Sequence, residues 1–186
     1  MQVILIAVIT LDGRLTLPGG AGPGFASAED QAWFRHVLQE FDCAVMGRTT
    51  YDAACEEIQA SARRNLLRVV MTHAPGRYAD DARPDALEFV SENPAPLVTM
   101  LEKRGRSRCA LLGGGHIYRE FLEAGLVDAL WLTLEPFVLG GGTPLVDGGP
   151  LRDGRFELAE MRLLGPNTLL LNYSRPGRPR TALPFG

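Results

Sequence analysis

Residues 110–125 read ALLGGGHIYREFLEAG and place three consecutive glycines between an apolar run and a segment with helical periodicity. This pattern predicts a strand over residues 108–113 and a helix that ends at Glu123. Glycine has no Cβ, so the turn allows either close packing of strand on helix or contact between the main chain and a bulky anion such as a diphosphate. The motif alone leaves both interpretations open.

The sequence on either side continues the alternation of strand and helix. Further strands are predicted over residues 2–9, 43–46, 66–72 and 87–90. Residues 127–140 predict another strand, which is ended by Pro136 and a second glycine cluster. Helices are predicted to begin at Ser27, Thr49–Thr50 and Pro94. Residues 156–174 alternate in hydrophobicity around Gly165-Pro166-Asn167, which is a hairpin signal. We therefore expect an α/β fold with a mainly parallel sheet and at least one antiparallel edge strand.

Length and composition limit the classes of protein to which the chain can belong. Its 186 residues fit one domain, which we assign to residues 1–175, followed by a proline-rich tail over residues 176–186 that we expect to be loosely held. The net charge of −3 argues against a general nucleic-acid binder, because such proteins need a basic face. The apolar start, QVILIAVIT, is too short to span a bilayer and predicts the first buried strand of a cytoplasmic protein.

Cysteine and histidine spacing predicts neither a disulfide framework nor a metal site. The residues concerned are Cys43, Cys55 and Cys109, and His36, His73 and His116. The cysteines are odd in number and widely spaced, as expected for reduced, packed thiols. The histidines lack the spacing of zinc ligands, so we expect no metal.

Three loops are predicted to meet at one edge of the sheet, where ligands of parallel sheets bind. The first, after Met46, is GRTT, whose helix start offers unpaired N–H groups beside the cationic Arg48. The second, after Met71, carries Thr72 and His73, which either bind a nucleotide or simply end the strand. Considered singly, the first two loops are better explained as ordinary turns. Their coincidence with the glycine turn at one edge favours an anionic ligand.

Two aspartates are candidates for a chemical role. Asp30 lies one turn inside an apolar helix, near Trp33 and Phe34. Burial beside a cleft would raise its pKa and let it hold or donate a proton near neutral pH, but N-terminal capping of the helix explains the residue equally well. Asp12, in LDGR, is more often a turn aspartate.

Two long stretches, EDQAWFRHVLQEFDCAVMGRTTYDA and LLGGGHIYREFLEAGLVDALWLTLEP, resemble the dihydrofolate reductase superfamily. The shorter motifs TLDGR and EPFVLGGGTPL are more similar to the reductase domain of the bacterial riboflavin-biosynthesis deaminase–reductase and its stand-alone relatives. The similarity covers most of residues 2–174. It implies a central eight-stranded, mostly parallel sheet flanked by helices, a C-terminal antiparallel hairpin and NADPH bound along the edge of the sheet.

The resemblance also assigns each loop to a part of the cofactor. One group matches the segment that holds the nucleotide phosphates, with Arg48 at the 2′-phosphate: Gly47, Arg48, Thr49 and Thr50. A second group matches the strand end beside the adenosine: Thr72 and His73. A third matches the turn and helix start under the pyrophosphate and nicotinamide: Gly113, Gly114, Gly115, His116 and Ile117.

On the substrate side, Asp30 matches the carboxylate that binds and protonates the pterin in dihydrofolate reductases. Phe34 matches the aromatic residue that packs on the substrate ring, and Asp12 in TLDGR is a further candidate for substrate contact. The glycine-rich LTLPGGAGPGF matches the lid over the nicotinamide.

The sequence departs from the folate pattern at Leu66, where folate enzymes have an arginine for the glutamate carboxylate, while Arg63 and Arg64 are out of register. A deaminase zinc site is not encoded either, because neither H-x-E nor P-C-x-x-C occurs. The resemblance therefore implies a homodimeric, NADPH-dependent reductase of a pyrimidine-like C=N bond. A true dihydrofolate reductase and a non-catalytic nucleotide-binding module are the alternatives.

Overall fold

The computed structural model describes residues 1–60 and 66–184. The helices are α1 (Ala28–Val37), α2 (Arg48–Ala60), α3 (Pro94–Lys103) and α4 (Gly115–Glu123). The strands are β1 (Gln2–Thr10), β2 (Cys43–Gly47), β3 (Leu67–Met71), β4 (Leu87–Val90), β5 (Arg108–Leu111), β6 (Ala129–Glu135), β7 (Glu157–Leu163) and β8 (Leu169–Ser174). Two short 3₁₀ helices cover Leu38–Glu40 and Pro75–Tyr78. Arg63 and Arg64 lie outside the described residues.

The eight strands form one sheet in the order β4-β3-β2-β5-β1-β6-β8-β7. The first six of these strands are parallel, and β8 runs antiparallel to both β6 and β7. This confirms the predicted α/β class, the strand count and the antiparallel hairpin. The strand predicted to end at Pro136 is β6, whose last residue is Glu135, since Pro136 offers no N–H to continue the ladder.

Both faces of the central strands are covered. On one face α1 and α2 pack on alternate residues of the central strands, and α3 and α4 pack on the other face. Two large polar side chains inside these layers are paired: Tyr118 Oη donates to Ile6 O at 2.7 Å, and Trp131 Nε1 donates to Asn172 Oδ1 at 3.1 Å. Each such bond stabilises the fold by a net ~1 kcal/mol, and losing one partner costs more. Among the helices within residues 1–60 and 66–184, none is long and apolar enough to cross a membrane.

The proline-rich tail is not loosely held as far as residue 184. Thr181 and Leu183 are buried, at 6% and 4% exposure. Gln2 Nε2 donates to Thr181 Oγ1 at 2.8 Å, and Asn172 Nδ2 donates to the Thr181 carbonyl. The expectation of a loosely held tail was wrong at these residues. Proline content indicates local chain stiffness and cannot reveal hydrogen bonds to residues far away in the sequence, such as Gln2.

Candidate functional site

A cleft of about 1460 Å³ runs along the carboxyl ends of β2, β3 and β5 and continues between the sheet and α1. It is the position where open α/β sheets bind ligands. The cleft is lined by twelve of the residues singled out in the sequence, namely Asp30, Phe34, Gly47, Arg48, Thr49, Thr50, Thr72, His73, Gly114, Gly115, His116 and Ile117. The lining does not include Gly113 or Asp12.

The turns after β2 and β5 are joined directly. Gly47 N donates to Gly113 O at 2.6 Å, and Leu112 N donates to Val45 O at 2.8 Å. As a result α2 and α4 begin side by side at the cleft, each with its first N–H groups outside the helical ladder. Two adjacent helix N-termini concentrate partial positive charge at one point of the sheet edge.

The glycines at these turns have two different causes. A Cβ on Gly113, whose φ is +91°, would lie 2.7 Å from the Tyr118 ring, and one on Gly115 would lie 2.5 Å from Pro144 O. A Cβ on Gly47 would lie 2.8 Å from Ile117 Cγ1. These three glycines are required by close packing of the protein on itself.

Gly114 is the exception in the turn. A Cβ there would meet only Thr50 Oγ1, at 3.6 Å, and both residues line the cleft. Close packing therefore explains three of the glycines, and contact with an anion stays a prediction for Gly114. Gly114 is the position where the main chain is open to a bound anion.

Cationic side chains gather where β2 and β3 end. Arg48 donates to Asp52 Oδ2 at 2.5 Å, and Tyr78 Oη donates to Asp52 Oδ1 at 3.0 Å. Arg48 and Asp52 are exposed, so solvent screens their ion pair and a phosphate can displace it. Arg77 and His73, both exposed, also line this end of the cleft.

The remaining predicted cofactor-binding side chains lie in the turn after β3 and at the start of α4. The Thr72 hydroxyl accepts a hydrogen bond from Ala74 N at 3.3 Å, so it shapes the turn after β3. His116 is exposed at the start of α4, where its Nε2 lies 3.4 Å from Glu120 Oε1. Ile117, one residue on, is buried against Gly47.

Asp30 lies at the other end of the cleft and is 5% exposed. Its main-chain N–H donates to Ser27 Oγ at 3.1 Å, so Ser27 is the N-cap of α1 as predicted. Burial raises the pKa of the Asp30 carboxyl to about 6, and the negative charge of Glu135 adds to this shift. The Thr133 hydroxyl lowers the Asp30 pKa and so opposes this shift, although the contact between the two groups does not have the geometry of a regular hydrogen bond. A buried carboxyl that retains its proton up to about pH 6 can act as a general acid.

The Asp12 carboxylate is hydrogen-bonded to neighbouring loops of the protein. Its carboxylate accepts hydrogen bonds from Thr10 Oγ1 at 2.6 Å and from Gly140 N at 2.8 Å. The Thr10 hydroxyl is the main reason that the pKa of Asp12 lies well below its usual range. We therefore propose that Asp12 joins the loop after β1 to the loop after β6 and does not contact the substrate.

The wall beside Asp30 is apolar and suits an aromatic ring. Phe34 and Leu66 line it with Leu112, and all three pack on the same cluster of core residues. Arg68, on β3, also lines the cleft and is 8% exposed. Sequence reasoning missed Arg68, since a buried strand predicts apolar residues, and its charge within LLRVVMT was the one available signal.

The glycine-rich segment that matches a lid forms one side of the cleft. Its base is held by Leu15 N, which donates to Thr143 O at 2.7 Å, and by Thr16 Oγ1, which accepts from Thr143 N at 3.0 Å. Residues 17–21 beyond this base are exposed. The geometry places an exposed, glycine-rich loop between two anchored ends.

Comparison with known proteins identifies the family. The family model described as the RibD C-terminal domain matches residues 1–170. The chain belongs to this family. Membership confirms the predicted resemblance and the riboflavin-biosynthesis type of reductase to which the chain was assigned.

Individual relatives are distant but span the chain. A curated 2,5-diamino-6-ribosylamino-4(3H)-pyrimidinone 5′-phosphate reductase of Methanothermobacter thermautotrophicus is 26% identical and covers 94% of this chain and 98% of the relative. A pyrimidine reductase-like protein of Corynebacterium diphtheriae superposes with a TM-score of 0.74 at 16% identity, covering 93% and 91% of the two chains. A dihydrofolate reductase of Enterococcus faecalis, complexed with NADP(H), gives 0.68 at 14% identity, covering 94% and 96%. These superpositions confirm the dihydrofolate reductase-like fold of this RibD C-terminal domain family member.

Proposed function

We propose that this chain is an NADPH-dependent reductase that acts on a C=N bond of a phosphorylated ribosylamino-pyrimidine. The observation that carries the proposal is the presence in one cleft of two joined helix N-termini and a buried carboxyl whose pKa is about 6. The first feature fits a diphosphate, and the second fits a proton donor. The name of the Methanothermobacter relative supports the substrate class.

The residues present fit the cofactor. Gly114 leaves the main chain open beside Thr50, where a diphosphate would meet the starts of α2 and α4. Arg48 and Arg77 offer guanidinium groups for the 2′-phosphate that distinguishes NADPH from NADH. When bound, NADPH supplies a hydride.

The chain's own part in the reaction is to orient the substrate and to supply a proton. A C=N bond that accepts a hydride on carbon needs a proton on nitrogen, and the product is then an amine. Asp30 is the buried group at this end of the cleft that can deliver that proton, and it recovers one from solvent afterwards. Phe34 and Leu66 hold the ring against the sheet and exclude water from it.

Two arginines of the cleft lining, Arg35 of α1 and Arg68 of β3, offer positive charge to a negatively charged substrate. We propose that the substrate phosphate approaches these arginines.

A direct comparison of substrates tests this function. Oxidation of NADPH is followed by absorbance with a phosphoribosylamino-pyrimidine and, separately, with dihydrofolate. We expect turnover of the first and little of the second, because Leu66 replaces the carboxylate-binding arginine of folate enzymes. Faster turnover of dihydrofolate would favour the folate alternative, and NADPH binding without turnover of either would favour a non-catalytic module.

We also propose that the chain forms a homodimer through an apolar face of the sheet. The register of β6, β8 and β7 sets nine side chains in three rows on one face: Leu130, Tyr173 and Leu158; Leu132, Leu171 and Met161; Leu134, Leu169 and Leu163. None of these nine is charged, and those on β7 are 51–74% exposed. An uncharged face fits an equally uncharged partner, which a second copy supplies around a two-fold axis.

The proposed location is the cytoplasm, where a nicotinamide cofactor is available. Cys43, Cys55 and Cys109 are free thiols, which suits a reducing compartment.

A further inference from the structure

Glu135 is a buried carboxylate that stands beside the cleft without lining it. Its Oε1 accepts a hydrogen bond from Ser27 N at 3.0 Å, and its Oε2 accepts one from Thr168 Oγ1 at 3.1 Å. The hydroxyls of Ser27 and Thr168 lie 3.0 Å apart. These contacts close a ring of polar groups between the end of β6 and the start of α1.

This ring changes how α1 is capped. In a capping box, the acidic residue three positions after the N-cap accepts a hydrogen bond from the N-cap N–H. In this helix that residue is Asp30, but the Ser27 N–H donates to Glu135. The other half of the box is retained, because Asp30 N still donates to Ser27 Oγ. The Asp30 carboxyl is thereby released from capping and faces the cleft.

The charged groups near Asp30 come from α1 and β6, and Arg68 of β3 lines the same cleft. On its own helix, Glu29 packs beside Gly165 and Arg35 lines the cleft. The loop over residues 15–26 contains no titratable side chain. From β6, Thr133 and Glu135 approach the carboxyl, and the charge of Glu135 raises the Asp30 pKa.

We infer that Glu135 is a positioning residue for the reduction, because it replaces Asp30 in capping α1, leaves the Asp30 carboxyl facing the cleft and places a negative charge close to that carboxyl. The link to catalysis rests on the proposed function, in which Asp30 is the proton donor. The capping and electrostatic parts concern the free chain and can be measured without substrate or cofactor.

The test is a pH titration of the Asp30 side-chain carboxyl by ¹³C NMR in the full chain. Glu135→Gln removes the charge but keeps an oxygen that can accept from Ser27 N, so the Asp30 midpoint should fall, by on the order of half a unit. Thr133→Val is the matched control on the same strand. It removes the group that favours the charged form, so the midpoint should rise.

Three outcomes would overturn the inference. One is an unchanged or higher midpoint in Glu135→Gln. Another is a shift of the same sign in both variants, which would indicate a general disturbance of the pocket. The third needs no variant: a wild-type midpoint near the ordinary aspartate value of 3.8 leaves nothing for Glu135 to maintain.

Kinetics separate this inference from the proposed function. If the chain is a reductase, the pH above which kcat/KM declines should move down in Glu135→Gln with the NMR midpoint. If no substrate is turned over while the NMR shifts occur as expected, the proposed function fails and the role of Glu135 stands. Glu135→Ala, which loses the acceptor as well, should also speed amide hydrogen exchange in the first turn of α1.

Discussion

At the scale of single residues, Asp30 combines two properties that oppose each other. It is placed where a proton donor is useful, and it is buried where a negative charge is costly. Functional sites often carry such a cost because chemistry requires the group that stability would remove. The sign and the pH range of this cost follow from the raised pKa.

We predict that Asp30→Asn stabilises the fold at pH 8 by on the order of 2 kcal/mol. The folded-state pKa of about 6 exceeds the ordinary aspartate value of 3.8, so the folded chain binds more protons between these values and its stability falls as pH rises through them. The gain in the variant should therefore vanish near pH 4. Chemical denaturation at several pH values measures it.

Asp147→Asn is the control for this comparison, because Asp147 lines the same cleft but is exposed. It should leave the free energy of unfolding unchanged across the range. A destabilised Asp30→Asn at pH 8 would show that the carboxylate is well paired in the folded chain, contrary to the structure.

A second prediction at this scale concerns Arg48. Arg48→Ala should weaken NADPH binding by about tenfold or more and leave NADH binding nearly unchanged, because only NADPH carries the phosphate that a guanidinium can grip with two hydrogen bonds. Nicotinamide fluorescence gives both dissociation constants. Arg155→Ala, an exposed arginine outside the cleft lining, should alter neither. Equal losses for both cofactors would place the 2′-phosphate elsewhere.

At the scale of elements, we expect substitutions at the adjacent Gly113 and Gly114, between β5 and α4, to have different effects: the first on stability and the second on cofactor binding. Gly113→Ala should destabilise the fold by roughly 3 kcal/mol or more, because its Cβ would meet Tyr118 at a positive φ. Gly114→Ala should cost under about 1 kcal/mol but weaken NADPH binding, since its Cβ enters the cleft. Thermal melting and fluorescence titration separate the two effects. Similar melting temperatures for both variants would contradict this division.

The contacts that sequence reasoning predicted are local, and those it missed are not. The cap at Ser27 and the turn after β5 follow from residues within four positions of each other. Glu135 reaches Ser27 across 108 positions, so no pattern along the chain reveals it. The Asp30 alternatives could not be separated for the same reason, because the residue that relieves Asp30 of capping lies on β6.

At the scale of the whole molecule, the three apolar rows on β6, β8 and β7 predict the oligomeric state. Wild type should run as a dimer in light scattering coupled to gel filtration, and Met161→Lys with Leu163→Lys should run as a monomer, because two lysines would be buried without partners. Glu157→Lys, on the opposite face of β7, is the control and should stay dimeric. A wild-type monomer at micromolar concentration would contradict the proposed face.

The buried contacts of the C-terminal tail affect how this chain can be shortened. Cutting after residue 175, at the domain border that composition indicates, would strip the Thr181 carbonyl from Asn172, whose Oδ1 also accepts from Trp131. The deletion would therefore leave the Asn172 side-chain N–H without an acceptor inside the core layer beneath α1. A change in Trp131 fluorescence would show that the core around Asn172 is disturbed, without any assay of activity.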